Sequence, residues 1–194
     1  MFTAYGPQII RELQALGFEI FLDLKFHDIP NTVYKAIRVA ADLGVWMVNV
    51  HASGGREMLT KARQAIEDSQ HKPLLIAVTI LTSLSESAVA EIGYQHSLVE
   101  QTLHLARLSY ECGLDGVVCS AHEAAAIKLA TSAEFLTVTP GIRLNTDKVD
   151  DQTRIMTPSI AVASGADYLV IGRPITQSIL PIETLQGINH SLSF

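Results

Sequence analysis

Asp23, Lys25 and Asp28 place an acid, a base and a second acid within six residues, just after the apolar run Ile20-Phe21-Leu22. Apolar and charged residues alternate here with period two, so Asp23 and Lys25 are expected on one face of a strand. Charges this close shift one another's pKa values and can stabilise or repel charge that develops on a ligand. A surface ion pair at a strand end is the plainer reading. It is disfavoured because a Lys beside an Asp in an apolar strand must be partnered or functional. Pro30 stops the strand, and Asn31 and Thr32 are the expected caps of the helix that follows.

Further along, Gly172-Arg173 follows the last expected strand, and Pro140-Gly141-Ile142-Arg143 follows the one before it. A Gly-Arg pair at a helix start suits a phosphate ester, through backbone N–H groups and a forked cation. Gln152 lies in the loop after Arg143 and would reach over a bound ligand. Thr79, Thr82 and Ser83 flank the end of the third strand, with hydroxyls suited to the amide edge of a heterocycle. His27 and His51 also sit near strand ends. Neither has the carboxylate spacing of a metal site, so each reads as a structural histidine.

The elements that must position these residues alternate along the chain. Helices are expected over 7–16, 31–43, 56–67, 98–112, 122–129, 158–164 and 181–189. Strands are expected over 20–25, 46–51, 74–81, 116–120, 135–139 and 168–171, with a long polar connection over 82–94. Gly17, Gly44, Gly113 and Gly165 follow four of the helices as C-caps. Short apolar strands alternating with helices imply a parallel sheet covered by helices. Polar residues just after the strands favour an α/β fold of the (β/α)8 TIM-barrel type, with its site on the C-terminal rim. A doubly wound open sheet is the runner-up, but no strand is followed by a Gly-rich dinucleotide fingerprint. Six strands are found where such a barrel has eight, and the chain begins in mid-unit. Residues 1–194 are therefore expected to form a single, N-terminally truncated barrel domain of about six βα units.

Bulk properties agree with one sizeable core: 194 residues, 48% hydrophobic, with a net charge of −6. That charge makes nucleic acid an unlikely partner class. Cys112 and Cys119 have neither redox nor zinc spacing and suggest a reducing compartment. No run is long enough to span a membrane, and Arg11 and Glu12 interrupt any signal-like start. The expected location is the cytoplasm, and the Asn189-His190-Ser191 sequon is read as accidental.

The segment Asp23-Leu24-Lys25-Phe26-His27-Asp28-Ile29-Pro30-Asn31-Thr32 closely resembles the signature of the bacterial orotidine 5′-phosphate decarboxylase family. Val48-Asn49-Val50-His51-Ala52-Ser53-Gly54-Gly55, Ala77-Val78-Thr79-Ile80-Leu81-Thr82-Ser83, Val138-Thr139-Pro140-Gly141-Ile142-Arg143 and Ile171-Gly172-Arg173-Pro174 are similar to that family in the same order. The resemblance implies decarboxylation of orotidine 5′-phosphate to UMP and carbon dioxide, in de novo pyrimidine synthesis, with no cofactor and no metal. It implies that Asp23 presses against the departing carboxylate and that Lys25 protonates the ring carbon left behind. Asp28 would reach into the neighbouring subunit's site, which implies a homodimer with shared sites. Thr82 would contact the pyrimidine, Arg143, Gln152, Gly172 and Arg173 would hold the phosphate, and Asn31 and Thr32 would border the site.

The family's first two strands, which supply a sugar-binding Asp and a second Lys, have no counterpart in this sequence. Met1-Phe2-Thr3 resembles the segment after the second of them. A chain of this content alone is therefore expected to be poorly stable and of little activity. Three rivals compete: a magnesium-dependent sugar-phosphate decarboxylase or aldolase with the same Asp-x-Lys-x-x-Asp strand end, an inactive nucleotide-phosphate-binding remnant, and a Schiff-base role for Lys25. The last is disfavoured because flanking carboxylates stabilise the ammonium form.

Overall fold

The computed structural model describes residues 1–144 and 156–192. In chain order the elements are α1 (Phe2–Tyr5), α2 (Gln8–Ala15), β1 (Phe21–Phe26), α3 (Pro30–Asp42), β2 (Met47–His51), α4 (Gly55–Glu67), β3 (Leu74–Val78), α5 (Glu86–Glu91) and α6 (Leu98–Glu111). Then come β4 (Gly116–Val118), α7 (Ala121–Ala130), β5 (Leu136–Thr139), α8 (Pro158–Ala163), β6 (Tyr168–Leu169), α9 (Arg173–Thr176) and α10 (Pro181–Leu192). The strands follow chain order, β1-β2-β3-β4-β5-β6. That order is the sequential one of a (β/α) barrel. A doubly wound sheet would reverse at a switch point.

The chain divides into two compact units, one of residues 1–79 and 104–117, the other of residues 80–103 and 118–194. In the first unit, β1 pairs with β2 and β2 with β3, all in parallel. β2 and β3 are apolar runs because both faces of a parallel sheet are covered. Met47, Val48 and Val50 are fully buried, as are Leu75, Ile76 and Ala77. α3 turns Val33, Ile37, Ala40 and Ala41 inward, and α4 does the same with Met58, Leu59, Ala62, Ala65 and Ile66. The spacing of three and four residues puts each set on one helical face. Gly44 ends α3 with φ 70°, a left-handed turn that a residue with a Cβ resists.

In the second unit, β5 pairs with β6 in parallel. Ala121, Ile142, Ala161 and Ala166 form a small buried cluster, with Met156, Leu169 and Ile171 packed against it. The expected connection over 82–94 is not all loop. Ser85 accepts a hydrogen bond from the Ala88 N–H and starts α5 inside it. A serine cap of that kind is sufficient to nucleate a short turn among polar residues.

Each unit carries the same device at a strand start. Asp115 accepts from the Leu75 N–H at 2.7 Å and from Arg63 at 3.0 Å. Asp167 accepts from the Thr137 N–H at 2.7 Å and pairs with Lys128 at 2.7 Å. Both carboxylates lie just before a strand and accept the N–H of the second residue of the strand that precedes it in the chain. They sit at the ends opposite the loops that carry the candidate site, where barrel residues serve stability.

Candidate active site

β1 is irregular where its charges lie. Leu22 is in register with Val48 and Phe26 with Val50, so Asp23, Leu24 and Lys25 stand opposite the single residue Asn49. The surplus is taken up at Lys25, whose φ of 52° makes it the one non-glycine residue with positive φ among the described residues. Holding a lysine in that left-handed region costs about 1–3 kcal/mol and persists only when neighbours enforce it.

Asn49 is that neighbour. It is fully buried on β2, and its Oδ1 accepts the Lys25 backbone N–H at 2.8 Å. Its Nδ2 donates to Asp23 Oδ1 at 2.6 Å. The same Asp23 oxygen receives the Lys25 ammonium at 2.5 Å. Asp23 and Lys25 therefore share a face, as alternation predicts, but by way of a break in the strand and not a continuous pleat. The pair is partly open, with side-chain exposures of 43% for Asp23 and 38% for Lys25.

Asn49 was not among the residues expected to matter. The signal was present, since an amide amid Met47-Val48 and Val50 must find partners when buried. His27 and His51 lie beside the array with ring centroids 5.3 Å apart. Burial, then the charges of His27 and Lys25, hold the His51 imidazole below its ordinary value, with Asp23 opposing.

Asp28 is exposed and accepts the Ile29 N–H at 2.7 Å. Asn31 and Thr32 do not cap α3, contrary to expectation. Ile29 is the N-cap without a side-chain bond, and Pro30 opens the helix. Proline suits the first helical position because its missing N–H would be unpaired there. That leaves Asn31 and Thr32 in the first turn with both side chains exposed.

In the second unit, Thr82 lines a cleft with Leu98, Val99, Leu103, Ser120 and His122. Thr82 and Ser83 are exposed, whereas Thr79 is buried. Glu123, at the start of α7, closes a capping box with Ser120, and burial raises its carboxyl above the ordinary range. Arg143 is anchored through its own N–H, which donates to the Met156 carbonyl at 3.1 Å, while the preceding Ile142 is buried. Gly172 is the N-cap of α9, and exposed Arg173 is its first residue. Among the described residues neither Arg143 nor Arg173 has a carboxylate partner. Gln152 lies outside the described residues. No group of three or more metal-ligating side chains was found among the described residues, and no helix among them is long and apolar enough to cross a membrane.

Known proteins are similar to this one along nearly the whole chain. The model of the orotidine 5′-phosphate decarboxylase / HUMPS family matches residues 1–188. An orotidine 5′-phosphate decarboxylase of Salmonella typhimurium is 58% identical over 193 residues, which is 99% of this chain and 79% of the relative. A crystal structure of an uncharacterized conserved protein from Geobacillus kaustophilus is 41% identical with a TM-score of 0.87, covering 100% of this chain and 85% of that one. The crystal structure of orotidine 5′-phosphate decarboxylase from Lactobacillus acidophilus is 36% identical with a TM-score of 0.85, covering 97% and 82%. With its ordered Asp-Lys strand end, its sequential parallel strands and these likenesses, the chain belongs to the orotidine 5′-phosphate decarboxylase / HUMPS family.

Proposed function

We propose that this chain is a carboxy-lyase that converts orotidine 5′-phosphate to UMP and carbon dioxide without cofactor or metal. The observation that carries the reading is the Asp23–Lys25 pair, set at a register break of a parallel strand in a chain of this family. Asp23 presses on the substrate carboxylate. When the carbon–carbon bond breaks, carbon dioxide leaves and the electron pair stays on the ring carbon. Lys25 Nζ–H protonates that carbon, and the neutral amine regains its proton from water. Thr82 contacts the pyrimidine, and Arg143, Gln152, Gly172 and Arg173 hold the phosphate. Asn31 and Thr32 border the site, and Asp28 serves the neighbouring subunit of a cytoplasmic homodimer engaged in pyrimidine synthesis.

A ring carbanion with no cofactor sink needs a cation close to where charge develops. One pair of unit charges at about 4 Å is worth roughly 4 kcal/mol at an effective dielectric near 20. The largest enzymatic accelerations require about 23 kcal/mol, so a few such pairs fall short. Binding of the remote phosphate supplies part of the difference by offsetting strain at the reacting centre.

The test is loss of orotidine 5′-phosphate absorbance together with carbon dioxide release, with and without a chelator. Equal turnover in both supports the proposal. Turnover that needs added magnesium, or nucleotide binding with no carbon dioxide release, overturns it.

A further inference from the structure

A fully buried asparagine holds both halves of the charged pair in the first unit, and its chemistry permits only one orientation. The Lys25 N–H needs an acceptor and the Asp23 carboxylate needs a donor. The Asn49 amide supplies Oδ1 to the first at 2.8 Å and Nδ2 to the second at 2.6 Å. Aspartate in its place lacks the donor when ionised, and leucine lacks both groups.

The consequence is a division of the Asp23 carboxylate. Oδ1 takes both the Asn49 amide and the Lys25 ammonium. Oδ2 receives no hydrogen bond from any described residue and carries the open side of the group. Meanwhile the Lys25 N–H is taken by a side chain on β2, so it does not join the strand ladder. That substitution lets three residues of β1 stand against one of β2 and keeps Lys25 at φ 52°. A left-handed lysine without this acceptor would relax toward ordinary strand geometry and turn its side chain elsewhere.

We infer that Asn49 is a positioning residue for the decarboxylation, fixing Lys25 by its backbone and Asp23 by one carboxylate oxygen. The inference rests on the proposed reaction, in which Lys25 is the proton donor and Asp23 faces the departing carboxylate. Asn49 is fully buried and both ends of its amide are already engaged, which assigns it no direct contact with substrate or product. It acts in the transition state through the two groups it holds, so kcat should respond and KM should not.

Two variants and two readouts test this on the full chain. Asn49→Leu keeps a buried side chain of similar size and removes both bonds. Its kcat is expected to fall about a hundredfold with KM little changed, the effect of misplacing a reacting group by about 1 Å. Asn49→Asp keeps the acceptor and puts a second carboxylate beside Asp23. Its kcat is expected to be low where that carboxyl is ionised and to recover as pH falls and the carboxyl regains a proton to donate. That acid-side recovery is absent from the wild type. Hydrogen exchange of the Lys25 amide is the second readout. The Lys25 amide should exchange faster in Asn49→Leu while the amides of β3 stay protected. Wild-type kcat in both variants, or an unchanged Lys25 amide in Asn49→Leu, overturns the inference. A wild-type chain that releases no carbon dioxide overturns the proposed reaction instead, and the exchange measurement still decides whether Asn49 holds the Lys25 backbone.

Discussion

The Lys25 ammonium lies 2.5 Å from Asp23 Oδ1, two residues back on the same strand, and shares that oxygen with Asn49. The pairing occupies one oxygen, and in the proposed reaction the other faces the substrate carboxylate. Removing the negative charge should therefore spare binding and harm the chemical step. Asp23→Asn is expected to lower kcat about a hundredfold while KM stays level or falls, because a repulsion felt by bound substrate is lost with it. Steady-state kinetics of the variant against the wild type measure both quantities.

Asp167 ties the start of β5 to α7. Its carboxylate accepts the Thr137 N–H and pairs with Lys128, a side chain only 19% exposed. Asp167→Ala leaves the buried Thr137 N–H without its acceptor and the Lys128 ammonium with the Ala133 and Phe135 carbonyls but no counter-charge. A loss of about 1–3 kcal/mol in unfolding free energy is expected, with kcat of the surviving folded fraction unchanged. Urea unfolding and activity normalised to folded protein provide the check.

His51 makes the fold sensitive to acid. Its imidazole is held below the ordinary 6.5 by burial and by the neighbouring His27 and Lys25. A base whose folded value is depressed takes up protons more readily when unfolded. Its contribution is therefore complete above the ordinary histidine value and is lost as pH falls through the folded value. The urea midpoint should drop as pH falls below the ordinary histidine value of 6.5, and His51→Gln should flatten that drop. An equally steep drop in His51→Gln would assign the effect to other groups.

The two thiols should separate cleanly. Cys119 is fully buried and burial pushes its thiol far up, whereas Cys112 is partly exposed. One thiol is expected to react with a thiol reagent in the native chain, and the second only in denaturant. Peptide mapping identifies which.

Much of this was legible in the sequence because it depends on neighbours in the chain. Period-two alternation located β1 and anticipated that Asp23 and Lys25 meet, although a register break and not the pleat brings them together. Gly44 and Gly165, both with positive φ, marked helix ends. What sequence could not give was fixed by residues far apart. The register break of β1 depends on Asn49, 24 positions from Lys25. Asn31 and Thr32 had the right chemistry for caps, but Pro30 pre-empted them by opening the helix itself. Ser85, by contrast, is a readable cap inside the long polar connection over 82–94, and its polar surroundings mask it.

The central claim is that the Lys25 ammonium delivers the proton that completes decarboxylation. It is tested most directly by carbon dioxide release from carboxyl-labelled orotidine 5′-phosphate, comparing the wild-type chain with Lys25→Met. The account predicts labelled carbon dioxide from the wild type and a loss of at least about a thousandfold in the variant, with UMP still bound by the folded protein. Undiminished release by Lys25→Met would contradict it.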